Sequence, residues 1–170
     1  DSDIALDSRI EVVSESNVDA LQKQGYEFAI GVGDPKVRQK IFTKFSNLTF
    51  PNLTHPRATF GYKQNKALES VVGNIITAGV VFTNNIVFGN FGVFNLNCTI
   101  GHDCTISDYV SIMPSANISG NVALKSFSYI GVGAIVLQGT PEAKMVVNVG
   151  AIVGAGALVT KPVAENTTVC

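Results

Sequence analysis

The chain has 170 residues, is 46% hydrophobic and carries a formal net charge of −1, so it can bury a core as one domain or two small ones. Charged residues make up 15% and no basic run occurs, which leaves nucleic acid without the electrostatic footprint it needs. Nothing reads as a signal peptide and no apolar stretch reaches membrane length, so a bilayer-spanning segment is not expected.

Residues 18–24 suggest a short helix, and Tyr26–Gly31 reads as a short buried strand running into a glycine turn. Asp34-Pro35 supplies an N-cap and a first-turn proline. Val37, Ile41, Phe42 and Phe45 then fall on one face of a following helix. Leu48–Leu53 is another extended piece. Together these assign residues 1–53 to a small α/β unit, Rossmann-like but partial, since the G-x-G at Gly31–Gly33 has no third glycine. Thr54–Ala58 is the junction to the rest of the chain, and His55, beside Pro56, reads as a structural hinge residue.

From residue 54 onward the pattern changes. Every sixth residue is large and apolar: Ile76, Phe82, Phe88, Phe94, Ile100, Ile106, Ile112, Ile118, Leu124, Ile130 and Val136. Four residues after each comes a small or β-branched one, from Val80 and Ile86 through Cys98 and Cys104 to Ala134. Neither a helix period of 3.6 nor a strand period of 2 produces this. Six extended residues make a flat face of about 20 Å, and three such faces close a triangular coil that stacks at strand spacing as a parallel β-helix. Three inner ladders result: Ile76–Phe94–Ile112–Ile130, Phe82–Ile100–Ile118–Val136 and Phe88–Ile106–Leu124. The period breaks after Val136 and is read as resuming at Val146, Ile152 and Leu158, with a loop bulging near Gln138–Met145. Spacing leaves the handedness of the coil open.

The three cysteines, Cys98, Cys104 and Cys170, show no C-x-x-C spacing, and two fill corner positions of the repeat. They read as apolar filler, which suits a reducing cytoplasm. No metal site is expected.

With two histidines in the chain, the search for a general base is short. His102 lies two residues past an inner position, hence on or near the outside, and imidazole is the natural base at neutral pH. Asp103 would orient it, given a local bend that brings two consecutive side chains together. Gly120 falls one coil later, eighteen residues on. A bare glycine there leaves room for a substrate beside an N–H able to serve as an oxyanion donor. Asn95 and Asn121 flank the same region.

The stretch FNLNCTIGHDCTISDYVSIMPSANISGNVALKSFSYIGVGAIV resembles the sugar O- and N-acyltransferases of the left-handed β-helix superfamily, which include sialic-acid O-acetyltransferase-like enzymes and acetyltransferases for nucleotide-linked amino sugars. The resemblance implies a left-handed coil over residues 54–170 and catalysis by His102 and Asp103 with Gly120. It implies acetyl-CoA as co-substrate, held near Ser111, Asn121, Gly131, Val132, Gly154 and Ala155. Ser111 stands where some relatives carry a second histidine. The front segment resembles part of the family's sugar-nucleotide domain, implying substrate contacts at Asp1, Gly31 and Val32 together with Asn95. A homotrimer with sites between subunits, acting in the cytoplasm on bacterial surface-glycan precursors, follows from the same likeness. So does the expectation of a fragment, lacking the family's opening Gly-rich turn and its C-terminal tail.

Three rivals remain. A γ-class carbonic anhydrase needs three zinc-binding histidines, one more than the chain has. A serine or simple-sugar O-acetyltransferase would not need the front unit. A catalytically silent sugar-nucleotide-binding or scaffold protein is the reading from another class.

Overall fold

The computed structural model describes residues 10–170; the expectation for Asp1 lies outside them. Residues 53–169 wind into a parallel β-helix with three flat faces. Face 1 stacks Leu53–Thr54, Ile75–Ile76, Val93–Phe94, Ser111–Ile112, Tyr129–Ile130, Ile152–Val153 and Thr168–Val169. Face 2 stacks Thr59–Phe60, Val81–Phe82, Thr99–Ile100, Asn117–Ile118, Ile135–Val136 and Leu158–Val159. Face 3 stacks Val87–Phe88, Thr105–Ile106, Val122–Leu124 and Met145–Val147. Every pairing is parallel, with Ile76, Phe94, Ile112 and Ile130 in one line as the spacing requires.

Each hexad repeats the same local design. A β-branched or polar residue faces out, the next large residue points into the prism, and a tight turn follows. The third residue after each inner position has a left-handed backbone, in unbroken series from Gly79 through Asn85, Phe91, Asn97, Asp103, Tyr109, Ser115, Asn121 and Phe127 to Gly133. Gly, Asn and Asp accept that conformation readily. The small residue after it is buried under the corner, with Val80, Cys98, Cys104, Val110, Ala116 and Ala134 all at 0% exposure. Each inner Ile or Phe withdrawn from water contributes about 1.5–3 kcal/mol. One buried group lacks a partner among the described residues, the Ser128 hydroxyl.

The expected resumption of the repeat is off by one residue. Val147, Val153 and Val159 point inward, pairing in line with Leu124, Ile130 and Val136. Ile152 and Leu158 are exposed at 43% and 59%, and Val146 is only partly buried. Both residues of each doublet are branched and apolar, so hydropathy does not separate them; the insertion is five residues beyond a hexad rather than four. The bulge itself spans 137–144, with Met145 already in face 3.

At the first coil a 3-10 helix, Gln64–Ser70, replaces the face 3 strand. Gln64 donates through Nε2 to Ile86 O (2.7 Å) and accepts from Ile86 N at Oε1 (3.0 Å). A side-chain amide thus stands in for a strand at an edge that would otherwise be open to pairing.

The front unit keeps its helices but not its strand. Helix α1 is Val18–Lys23 and α2 is Pro35–Lys44, the latter capped by Asp34 Oδ1 accepting from Lys36 N (2.8 Å) and Val37 N (3.0 Å). Among the described residues no strand precedes Leu53, so a Rossmann-like sheet is not seen there. Tyr26–Gly31 runs extended, held to the next segment by Phe28 N donating to Thr49 O at 2.9 Å. Val37, expected on the buried face, is 38% exposed. The helix instead buries Arg38, at 1% exposure, which donates to the carbonyls of Val32, Gly33, Phe91, Tyr109 and Val110 at 2.9–3.2 Å. This clamp joins the front unit to the corner between faces 3 and 1. Burial pushes the guanidinium down from its ordinary value to about 10, so it stays charged at neutral pH.

Candidate active site

His102 sits at the corner between faces 2 and 3, just past Thr99–Ile100. Its side chain is 67% exposed. The bend needed to bring Asp103 beside it is the left-handed turn position itself: Asp103 has φ 59. Asp103 Oδ2 lies 2.7 Å from His102 Nδ1, and its Oδ1 accepts from Asn85 Nδ2 (3.1 Å) one coil below. The bonds from His102 and Asn85 hold the Asp103 carboxyl below its ordinary 3.8. It therefore stays ionised and favours Nδ1–H on the ring, leaving the Nε2 lone pair free.

Gly120 lies directly against the ring. A Cβ built on Gly120 would fall 2.5 Å from His102 Nε2, 2.6 Å from Cε1 and 3.0 Å from Cδ2. Only a glycine admits the imidazole in this position. Asn121 N donates to His102 O (2.7 Å), tying the two coils together, while the Gly120 N–H has no acceptor among the described residues.

The five extra residues after Val136 form the wall of the site. Gln138, Gly139, Thr140 and Pro141 close a cavity of about 390 Å³ with His102, Asp103, Gly120 and Asn121. The Asn121 side chain, expected at a cofactor, anchors this loop by donating to Thr140 O (2.6 Å). Lys144 Nζ donates to Asp103 O. Sequence reading missed the loop's role and Lys144, because an insertion has no period to place it.

The other expected residues lie elsewhere on the prism. Asn95, Gly131, Val132, Gly154 and Ala155 all follow face 1 strands and line the corner between faces 1 and 2. Val132 is 51% exposed there, while Asn95 Oδ1 accepts from Leu96 N (2.8 Å) within its own turn. Gly31 and Val32 belong to the front unit at the third corner. Ser111 is fully buried and its hydroxyl donates to Gly33 O at 2.8 Å. That hydroxyl secures the front unit and is not open to a cofactor, because in this chain the segment 32–34 lies on top of it. One chain thus gathers His102, Asp103, Gly120 and Asn121, and leaves the remainder apart.

Two of the three thiols are shut away from solvent. Cys98 and Cys104 are free and buried, and burial pushes Cys98 up to about 12 and raises Cys104 as well. No group of three His, Cys, Asp or Glu side chains converges on a metal position among the described residues, and none of their helices is long and apolar enough to cross a membrane.

A hexad-wound prism carrying an exposed His–Asp pair over a bare glycine defines a class, and the chain resembles the hexapeptide-repeat sugar acetyltransferases. In particular, it is 41% identical over 51 residues to a GDP-perosamine N-acetyltransferase of Escherichia coli O157:H7, a match covering 30% of this chain and 23% of that protein. WeeI from Acinetobacter baumannii AYE superimposes with a TM-score of 0.74 at 29% identity, over 82% of this chain and 65% of its own. PerB from Caulobacter crescentus, solved in complex with CoA and GDP-perosamine, shares the fold with a TM-score of 0.78 at 24% identity, over 91% of this chain and 72% of its own. The chain thus spans less than two thirds of the length of the first two. No protein-family profile matches it.

Proposed function

We propose that the chain acts as an acetyl-CoA-dependent acetyltransferase on the amino group of a nucleotide-linked sugar. The observation that carries this is the His102–Asp103 pair, 2.7 Å apart, with the ring's Nε2 over Gly120 in an open cavity. Asp103 accepts from Nδ1, so Nε2 is the basic nitrogen. His102 takes the proton from the acceptor amine as the amine attacks the acyl carbonyl, and imidazolium forms beside a carboxylate that stabilises it. The Gly120 N–H is assigned to the developing oxyanion. A thioester substrate supplies the acetyl group: the tetrahedral intermediate collapses, the C–S bond breaks, and the departing thiolate takes the proton back from the His102 imidazolium, which leaves the N-acetyl product and free thiol. Nitrogen is preferred over oxygen as the acceptor because a sequence relative is an N-acetyltransferase.

The acyl donor is assigned to the exposed corner of Gly131, Val132, Gly154 and Ala155, with Asn95 on the acceptor side. Because that corner and the His102 corner are different edges of one prism, a complete site needs the edge of a neighbouring copy. This supports a homotrimer, closed by symmetry, with sites between subunits. Two unpaired, buried thiols suit a cytoplasmic enzyme, and nucleotide-sugar acetylation suits the biosynthesis of surface polysaccharide.

The test is thiol release from acetyl-CoA with a panel of GDP- and UDP-linked amino sugars. Turnover with at least one acceptor, abolished in His102→Ala while the circular dichroism spectrum is kept, is the expected result. Release unchanged in His102→Ala overturns the assignment.

A further inference from the structure

The corner between faces 3 and 1 carries a stack of rings with one rung missing. Phe91, Tyr109 and Phe127 occupy the left-handed turn position of successive coils. Their rings lie nearly parallel, at 7° and 5°, with centroids 5.4 Å apart at each step. The backbone ladder fixes what comes next. Tyr109 N donates to Asn90 O, Phe127 N to Asp108 O, Gly150 N to Ser126 O and Asn166 N to Val149 O. Gly150 is therefore the next turn residue after Phe127, with φ 64, and Asn166 the one beyond.

At that rung Gly150 brings no side chain of its own. The Asn166 side-chain oxygen comes from the coil above to within 2.4 Å of where a Gly150 Cβ would stand, and Phe127 is half-buried below. Beside Phe127 and Gly150 opens a cavity of about 460 Å³, lined also by Asp34, Lys36, Tyr129 and Ile152. This volume falls in the range of small-molecule pockets. Its lining holds two aromatic rings, Phe127 and Tyr129, with one carboxylate and one ammonium. Asp34 uses Oδ1 to cap α2, while its Oδ2 takes no hydrogen bond among the described residues. A flat heteroaromatic ring stacks on Phe127 while its own donors and acceptors meet Asp34 and Lys36, which stand exposed beside it.

We propose that this gap is a nucleobase site, in which a base stacks on Phe127 in the rung that Gly150 leaves empty. Lys36 and Asp34 contact the base edge or the attached ribose phosphate. The inference rests on the transferase reading only for the source of the base, which is either the sugar nucleotide or the adenosine end of the acyl donor.

Isothermal titration of the whole chain with GMP, UMP, 3′,5′-ADP and ribose 5-phosphate tests it. At least one nucleotide is expected to bind, with ribose 5-phosphate at least tenfold weaker. Phe127→Ala removes the platform and is expected to weaken binding tenfold or more, the scale of a lost base–aromatic stack. Gly150→Asn fills the gap with a residue that accepts a left-handed backbone and meets only the end of the Asn166 side chain, so it keeps the fold if Phe127→Ala does not. It should weaken binding by a similar factor. His102→Ala should leave binding unchanged, so loss of transferase activity and loss of this site are read separately. Binding of 3′,5′-ADP assigns the gap to the acyl donor, and binding of GMP or UMP assigns it to the acceptor. No nucleotide binding to the folded protein, or binding that both substitutions leave intact, overturns the proposal.

Discussion

Gly120→Ala separates the position of the imidazole from everything else in the fold. The new methyl carbon would meet His102 Nε2 at 2.5 Å, and the three nearest atoms all belong to that ring. Ordinary contact begins at 3.4 Å, so Nε2 must retreat by about 0.9 Å. Gly120 is not in the left-handed region, so alanine brings no backbone strain. The obstructing ring is 67% exposed and free to swing outward. Stability should therefore change by less than about 1 kcal/mol, the scale of surface substitutions. Activity should not be so tolerant: a misplacement of about 1 Å at a reacting group costs on the order of 10²-fold in rate, and complete loss of a general base costs about 10²–10⁴. Thiol-release kinetics should show kcat down by about 10²-fold with little change in KM for acetyl-CoA, and thermal melting should be near that of the wild type. Undiminished kcat would mean that the ring's seat over Gly120 is irrelevant to turnover. A collapse in melting temperature would mean that Gly120 is there for packing.

Asp103→Asn keeps a residue that accepts the left-handed turn while removing the charge beside Nδ1; kcat should fall at least tenfold with the melting temperature held. The Asp103 carboxyl should titrate below 3.8, since its pKa is lowered by the bonds from His102 and Asn85. The contribution of those bonds is thus complete above the ordinary carboxylate value and is lost as pH falls through the depressed one; NMR titration of Asn85→Ala should move that value back up. Arg38→Met strips donors from five carbonyls that the front unit and the β-helix share, and should cost at least about 1–3 kcal/mol, the scale of a buried acceptor left unpaired, read by denaturant melting together with faster proteolysis near residues 26–34. Ser128→Ala removes a buried hydroxyl that has no partner among the described residues and should raise stability by about 1 kcal/mol.

The prism was legible because its signal is redundant. Ile100, Ile112 and Ile118 each report the same period, and one misread residue would not have changed it. Legibility ended where redundancy did. At Ile152-Val153 and Leu158-Val159 two branched residues stand side by side, and only pairing with Ile130 and Val136 decides which faces in. His102 and Asp103 were readable as a pair of suitable chemistry, but not the bend that joins them. Ser111 was expected near the cofactor, and sequence position carries no record of the Gly33 carbonyl that its hydroxyl meets. The strand expected at Tyr26–Gly31 has β-favouring residues, yet strand formation requires a neighbour along its edge, and among the described residues it has one hydrogen bond to Thr49.

One position of the hexad accounts for much of what distinguishes the three edges of the prism. The left-handed turn residue aims its side chain outward, and residues eighteen apart stack on the same edge. On the first edge the series Phe91–Tyr109–Phe127 makes an apolar ridge, against which Ile30, Leu48 and Phe50 of the front unit are buried. On the second the series Asn85–Asp103–Asn121 is polar: the middle member orients His102, the lower one holds that member's carboxylate, and the upper one fastens the loop that walls the cavity. On the third edge Gly79, Asn97, Ser115 and Gly133 are small or polar, and the surface stays bare. Strain in the left-handed region costs about 1–2 kcal/mol for an ordinary residue. Asn and Asp avoid most of that cost, and the three aromatics offset it by stacking on one another. Backbone geometry is thus the same at all three edges, and the choice of side chain at a single repeated position decides which edge binds the front unit, which holds the histidine and which is left open.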